Sequence, residues 1–277
     1  MNIQKIAAFS DGNRGGNPAG VVIGQELPRR EDMQKIAAEV GFSETVFAAP
    51  TGTHNGWVVR YFSPETEVPF CGHATIALGA ALALRDGDGK FHLSLSEAEI
   101  TVEGQCNGDN ISAALQSPPT SSAKADDALV SAALKLFGYT HHDLEDRIPP
   151  ATINGGASHL VLALKDRGRL SQMTYDLDEG RTLMTTAGLV TITLIYIENE
   201  QLFHARNAFA SGGVLEDPAT GAAAAAFAGY LRDLGWPHKG VIDIIQGEDM
   251  GEKSLLRAEI AAKPGSSIRV SGTARVM

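Results

Sequence analysis

The chain has 277 residues, 43% of them hydrophobic, 20% charged and 6% aromatic, with 30 glycines and a formal net charge of -10. That length holds a real core, as one large domain or two smaller ones. The acidic balance, with no dense Lys/Arg run, argues against a surface built for nucleic acid or anionic lipid.

Two cysteines, Cys71 and Cys106, make no disulfide framework and fit a reducing cytoplasm. The opening MNIQKIAAFSDG meets Asp11 where a signal peptide would continue its apolar core. No uncharged apolar run reaches the roughly 20 residues of a membrane span.

In chain order, IQKIAAF reads as a strand, DGNRGGNPAG as a turn-rich loop and AGVVIG as a second short strand. LPRREDMQKIAAEVG puts Met33, Ile36, Ala37 and Val40 on one stripe and ends at Gly41, which predicts an amphipathic helix. ETVFAA and WVVRYFS are predicted strands. From Ala74 to Leu84 the chain has almost no polar face, so a helix there is central to a core and too short for a membrane.

FHLSLS, EITVEG and ISAALQS predict further strands, and SPPTSSAKADD is the best linker. A second unit then echoes the first: a helix over DALVSAALKLFG, a loop and strand at NGGASHLVLAL, and a helix near DLDEGRTLMTTAG. The strands TITLIYIE and LFHARNAFA follow, then LEDPATG and the helix AAAAAFAGYLRDLG. VIDIIQG, LLRAEIAA and SIRVSGTARV close the chain as strands. Each half thus holds strands, a loop and an unusually small-residue helix. The pattern predicts two similar α+β lobes, each wrapping strands around a central helix.

In DPATG, Asp217 is suited to cap a helix with Pro218 in its first turn, leaving the amides of Ala219, Thr220 and Gly221 at a positive dipole end. A plain cap is the alternative. Gly72 and His73 stand at a similar helix mouth in the first half. If the halves face each other, the two mouths form a receptor for a small carboxylate. His73 is a candidate acid/base near neutral pH, or a structural hydrogen-bonding residue.

His159 is a weaker candidate to line the second lobe's loop, and His141-His142 reads as a solvated turn. Ser43-Glu44 opens a strand, where a carboxylate loses hydration in a way that suits proton transfer; an ordinary strand-edge glutamate is the plainer reading. Asn17 before Pro18 either presents a polar side chain at a cleft wall or makes a turn.

Cys71 and His73, two residues apart, lack the distant partners one ion needs. With no HExxH or CxxC array, no metal site is expected. Cys71 is either a thiol activated by helix-end amides or a small buried filler. DGNRGGNPAG lacks both the GxGxxG spacing and a P-loop Gly-Lys, so no nucleotide is expected.

Four segments, GNPAGVV, SET before VFAAP, YFSPETEVPFCGHATI and EDPATG, bracket both halves and occur in an order that resembles the PhzF-like phenazine biosynthesis isomerase family, a branch of the diaminopimelate epimerase-like fold. The resemblance covers nearly the whole chain. It implies an α+β fold of two similar lobes, each a mostly antiparallel β-barrel around a central helix, with the active site between them. The expected boundaries are 1–118 for the N-terminal lobe, 124–262 for the C-terminal lobe, and 266–277 for a closing strand packed on the first.

It further implies a cofactor-free isomerase, often a homodimer, acting on a small anionic metabolite. Glu44 maps onto the family's acid/base, His73 and Gly72 onto its glycine-histidine pair, and Asp217 onto a substrate-orienting or proton-handling group. Asn17, Ser43, Thr220 and Gly221 are the expected substrate-binding residues.

One departure is Ala222, where well-studied family members carry serine. The lost hydrogen bond is worth roughly 0.5–1.5 kcal/mol and bears on substrate choice. A two-thiol racemase of this fold needs a second-lobe cysteine, and EDPATG supplies none. The expectation is therefore a one-residue proton and double-bond shift by Glu44. The alternatives are an amino-acid or hydroxy-acid epimerase, or a catalytically silent binding protein on the same fold.

Overall fold

The computed structural model describes residues 2–96, 98–108 and 110–277. In chain order the first strands are β1 (Ile3–Ala8) and β2 (Asn17–Ile23), followed by helix α1 (Arg30–Val40). Next come β3 (Thr45–Pro50), β4 (Gly56–Phe62), β5 (Glu67–Val68) and α2 (Gly72–Asp86), then β6 (Gly89–Ser94), β7 (Glu99–Asn107) and β8 (Asn110–Gln116).

A second series runs β9 (Ser121–Lys124), α3 (Asp127–Leu136), β10 (Ala151–Asn154), β11 (Ser158–Leu164), α4 (Arg167–Ser171) and α5 (Leu177–Thr186). It continues with β12 (Thr191–Ile197), β13 (Leu202–Ala208), β14 (Glu216–Asp217), α6 (Gly221–Asp233), β15 (Val241–Gln246) and β16 (Ser254–Glu259). The last strand is β17 (Arg269–Val276). The chain divides into two compact units, Met1–Gln116 with Val270–Met277, and Ser117–Arg269.

In the first unit β1 pairs antiparallel with β2, β2 parallel with β3, β3 antiparallel with β4, β4 parallel with β6, and β6 antiparallel with β7. β7 pairs antiparallel with β8, and β17 pairs with both β8 and β1, which closes the run on itself. Helix α2 packs against β1, β2, β3, β7 and β8 of this ring and is buried without a break from Gly72 to Ala83.

The second unit repeats the same alternation. β10 and β11 are antiparallel, β11 and β12 parallel, β12 and β13 antiparallel, β13 and β15 parallel, β15 and β16 antiparallel. β9 extends the run beyond β10, so part of the expected linker is a strand. Helix α6 touches β9, β10, β11 and β16, strands from both ends of the run, so the sheet curls around it.

Each sheet buries a second face under outer helices. Met33 and Ala37 of α1 cover Val22, Phe47 and Phe62, as the stripe at helical spacing requires. Gly41 then takes the left-handed conformation that ends α1. In the second unit Val130, Leu134 and Met184 cover Leu160, Leu162, Ile192 and Leu194.

Small side chains let the inner helices approach the strands closely. A Cβ on Gly104 of β7 would lie 2.2 Å from the Gly79 carbonyl oxygen of α2 and 2.8 Å from the Ala83 Cβ. A Cβ on Gly155 would lie 2.9 Å from the Ala226 nitrogen of α6. No helix among the described residues is long and apolar enough to cross a membrane.

Gly104→Ala therefore has to push α2 off β7, and overpacking of this kind costs about 1–3 kcal/mol. Gly89→Ala, whose nearest neighbour is 3.6 Å away, serves as the control. Urea unfolding of the two variants side by side checks this, and equal midpoints would refute the close-approach argument.

Candidate functional site

The start of α2 is fixed by its neighbours in the first unit. Arg60 of β4 forks onto Glu67 of β5, Nε to Oε1 at 2.6 Å and a terminal nitrogen to Oε2 at 2.5 Å. Arg30 of α1 adds a third bond at 2.9 Å. Hydrogen bonding from Arg60, above all, holds the Glu67 carboxyl below its ordinary range.

One residue along, burial pushes the Tyr61 phenol far up, so it stays protonated. The Thr75 hydroxyl donates to the Cys71 carbonyl at 2.7 Å and accepts from Tyr61 at 2.7 Å. Cys71 is thereby held in extended backbone as the residue before the helix, with no side-chain cap. The first amides of α2 have no carbonyl one turn back, which leaves a positive end at Gly72 and His73.

Four polar side chains converge there. His73 Nε2 lies 3.4 Å from Glu44 Oε2 and 3.4 Å from Ser43 Oγ, while Nδ1 lies 3.3 Å from Cys71 Sγ. Glu44 is 6% exposed and sits just ahead of β3, its carbonyl accepting from Gly20 N–H of β2. Its Oε2 has no hydrogen-bond donor in proper geometry.

A buried carboxylate oxygen without a donor is costly and calls for a reason. Ligand atoms of Glu44, Cys71 and His73 all lie within 4.8 Å of one another. The distant partner that Cys71 and His73 lack in sequence is Glu44. Asn17, the first residue of β2, is buried opposite Ala8.

The second unit differs from expectation at Asp217. It does not cap α6, and Pro218 is not in the helix. Asp217 lies in β14, paired with Asn207, and the helix begins at Gly221 after Thr220. The β-bridge to β13 holds Asp217 three residues too early to cap. Its Oδ2 accepts instead from the Thr220 hydroxyl at 2.5 Å.

The Thr220 amide is not left open either, since it donates to Gln246 Oε1 at 3.2 Å. Gln246 Nε2 also donates to the Asp217 carbonyl at 2.7 Å and to Thr220 Oγ1 at 3.1 Å. Sequence reasoning missed Gln246. The signal was a glutamine in the buried phase of VIDIIQ, in step with Ile242 and Ile244. Ala222 is buried in the first turn of α6.

Arg206 of β13 forks onto Glu216 of β14 as Arg60 does onto Glu67, at 3.0 and 2.5 Å. Taking these forks as equivalent aligns the units. Val46 opposite Tyr61 then matches Thr193 opposite Asn207. Thr191 stands where Glu44 stands, and with Gly221 matching Gly72, Ala222 stands where His73 stands and Thr220 where Cys71 stands. At the three positions equivalent to Glu44, Cys71 and His73 the second unit carries Thr191, Thr220 and Ala222, none of them titratable.

In that frame His159 is fully buried in β11, not in a loop. Its Nδ1 lies 2.7 Å from Thr191 Oγ1, and Thr191 and Thr193 both donate to Asn207 Oδ1. Burial holds its imidazole neutral, down to about 3.

A family model described as phenazine biosynthesis-like protein matches residues 6–277. The chain is 30% identical to an uncharacterized isomerase of Mesorhizobium japonicum, over 96% of this chain and 93% of that one. It is 31% identical to the trans-2,3-dihydro-3-hydroxyanthranilate isomerase of Pseudomonas aeruginosa, over 96% of this chain and 94% of that one. Its fold is similar to the crystal structure of a PhzF-family phenazine biosynthesis protein from Bacillus anthracis, with TM-score 0.85 and 21% identity over 100% of this chain and 98% of the other.

The buried His159 sets a pH dependence. Its folded value of about 3 lies below the ordinary 6.5, so between those values the unfolded chain binds the extra proton. Its contribution is whole above the ordinary value and is lost as pH falls, about 2 kcal/mol by about pH 5. Urea unfolding at about pH 7.5 and about pH 5 should show this loss, and His159→Gln should flatten it. An unchanged slope in the variant would reject the assignment.

Proposed function

The chain belongs to the phenazine biosynthesis-like protein family and is an isomerase of that class; we propose that it moves a proton between two carbons of a small carboxylate-bearing metabolite, with Glu44 as the only acid and base. The observation that carries this is the buried Glu44 Oε2 without a donor, facing His73 at an uncapped helix start. Each unit acts as a barrel around its inner helix, supported by the closed pairing of the first and by the strands touching α6 in the second.

Glu44 as carboxylate takes a proton from a carbon next to a carbonyl or double bond. As the acid, after its carboxyl proton has had the chance to exchange with solvent, it delivers a proton to a second carbon, so the double bond shifts and nothing is gained or lost overall. A poorly hydrated carboxylate does this best when both carbons stay within reach. Negative charge building on the substrate is met by the Gly72 amide and the positive end of α2.

His73, in reach of both Ser43 and Glu44, orients the substrate and the carboxyl. Asp217, Thr220 and Gly221 are the second unit's substrate-binding residues in this reading, with Gln246 holding Asp217 and Thr220 in register. Asn17 contributes a further polar contact. The missing hydroxyl at Ala222 separates substrate choice from that of relatives with serine there, so the anthranilate derivative named for the Pseudomonas enzyme is one candidate among carboxylates of its size.

The test is solvent exchange in D₂O, with trans-2,3-dihydro-3-hydroxyanthranilate and with carboxylates retained from cell extract. The wild-type chain should shift a double bond and incorporate deuterium. Glu44→Gln keeps the shape but carries no transferable proton, and should slow turnover about 10²- to 10⁴-fold. His73→Ala should impair binding and rate together. Unchanged turnover in Glu44→Gln would overturn the assignment, and exchange without a double-bond shift would mean epimerisation instead.

A further inference from the structure

We propose that Glu44, Cys71 and His73 form a binding site for a divalent cation of the zinc class, and that filling it switches the enzyme off. The inhibitory half rests on Glu44 being the proton carrier; the binding half does not.

Three observations lead here. First, the donor set is one carboxylate, one imidazole and one thiol, the three ligand types zinc takes in proteins. Second, the distances suit it. Zinc bonds of about 2.0 Å to nitrogen and oxygen and about 2.3 Å to sulfur set tetrahedral ligands about 3.3–3.6 Å apart. His73 Nε2 already lies 3.4 Å from Glu44 Oε2 and 4.0 Å from Cys71 Sγ, and all three ligand atoms lie within 4.8 Å of one another.

Filling the site therefore requires the Cys71 thiol to draw closer to Glu44 and to His73 Nε2 than it lies in the structure. Third, Glu44 Oε2 is more than nine-tenths buried and lacks a donor, so a cation supplies what that oxygen is missing.

Charge favours the same class of ion. On binding, the Cys71 thiol gives its proton to solvent and the sulfur takes the metal bond. One thiolate and one carboxylate then balance the two positive charges, with His73 neutral, so the buried site carries no net charge. A hard ion such as Mg²⁺ gains little from sulfur or imidazole. Three protein ligands leave the fourth position for water or a substrate oxygen. With its lone pair on the metal, Glu44 accepts no proton from carbon.

Co²⁺ and Zn²⁺ test this on the reduced, metal-stripped chain. Co²⁺ should give a thiolate-to-metal charge-transfer band and the strong visible bands of four-coordinate cobalt. Zn²⁺ should titrate one site per chain by calorimetry and displace the cobalt. Cys71→Ser should abolish the charge-transfer band, and His73→Gln should weaken binding by more than the roughly 10–100-fold that loss of an outer-shell partner costs.

Cys106→Ser, at the other thiol, should change nothing. No charge-transfer band in the wild-type chain, or a band that survives Cys71→Ser, would overturn the site. If Zn²⁺ binds and D₂O exchange continues at its metal-free rate, the inhibitory half is overturned. If Glu44→Gln keeps full turnover while Co²⁺ still reports a thiolate site, the proton-carrier reading fails and the cation site stands.

Discussion

The structure depends on how closely two small-residue helices lie against their strands. A methyl group on Gly104 would run into the Gly79 backbone, and one on Gly79 would run into the Val102 side chain. That proximity decides where α2 begins. Once the helix is seated, Thr75 is in reach of Tyr61 and of the Cys71 carbonyl, and Gly72 and His73 fall where Glu44 waits. A helix of large side chains would stand further from the wall and carry His73 away from the carboxylate.

The Arg–Glu forks do complementary work. Each pins the two-residue strand that leads into the inner helix, β5 or β14, to the longer strand before it. Arg206 and Glu216 are both buried, so removing either would strand the other charge out of water, and such a loss typically costs 3–5 kcal/mol. The two frames are therefore alike while their contents have diverged. The first holds a carboxylate, an imidazole and a thiol. The second holds hydroxyls at Thr191 and Thr220, a methyl at Ala222, and an amide at Gln246 that binds the loop to the sheet.

Much of this was legible in the sequence. The apolar stripe of Met33, Ile36, Ala37 and Val40 marked α1, and the nearly faceless runs after His73 and Gly221 marked the inner helices. Glu44, His73 and Cys71 each stood out singly. Their meeting was legible for Glu44 and His73 only through the family resemblance, because a contact between residues 44 and 73 is set by sheet register. Asp217 was misread for a local reason. Asp-Pro before alanines looks like a capped helix start, but β14 claims the aspartate for the sheet and passes the cap position to Thr220. His159 looked like a loop residue because the glycines before it suggested a turn, whereas the strand begins at Ser158. The Arg–Glu forks left no periodic trace, since the spacing is 7 residues in one unit and 10 in the other.

β17 carries a consequence for how the molecule comes into being. It supplies the edge that joins β8 to β1, yet it lies beyond all of β9–β16 in the chain. During synthesis the earlier unit must wait as an open, unsealed sheet while the later one, contiguous in sequence, emerges and collapses. The loop that is finally closed is long, and its entropy cost grows only slowly with length, but the waiting time does not shrink. Until β17 arrives, β1 and β8 each present a bare row of amides and carbonyls. The interval before closure is when this chain is most exposed to pairing with a neighbour on the same polysome.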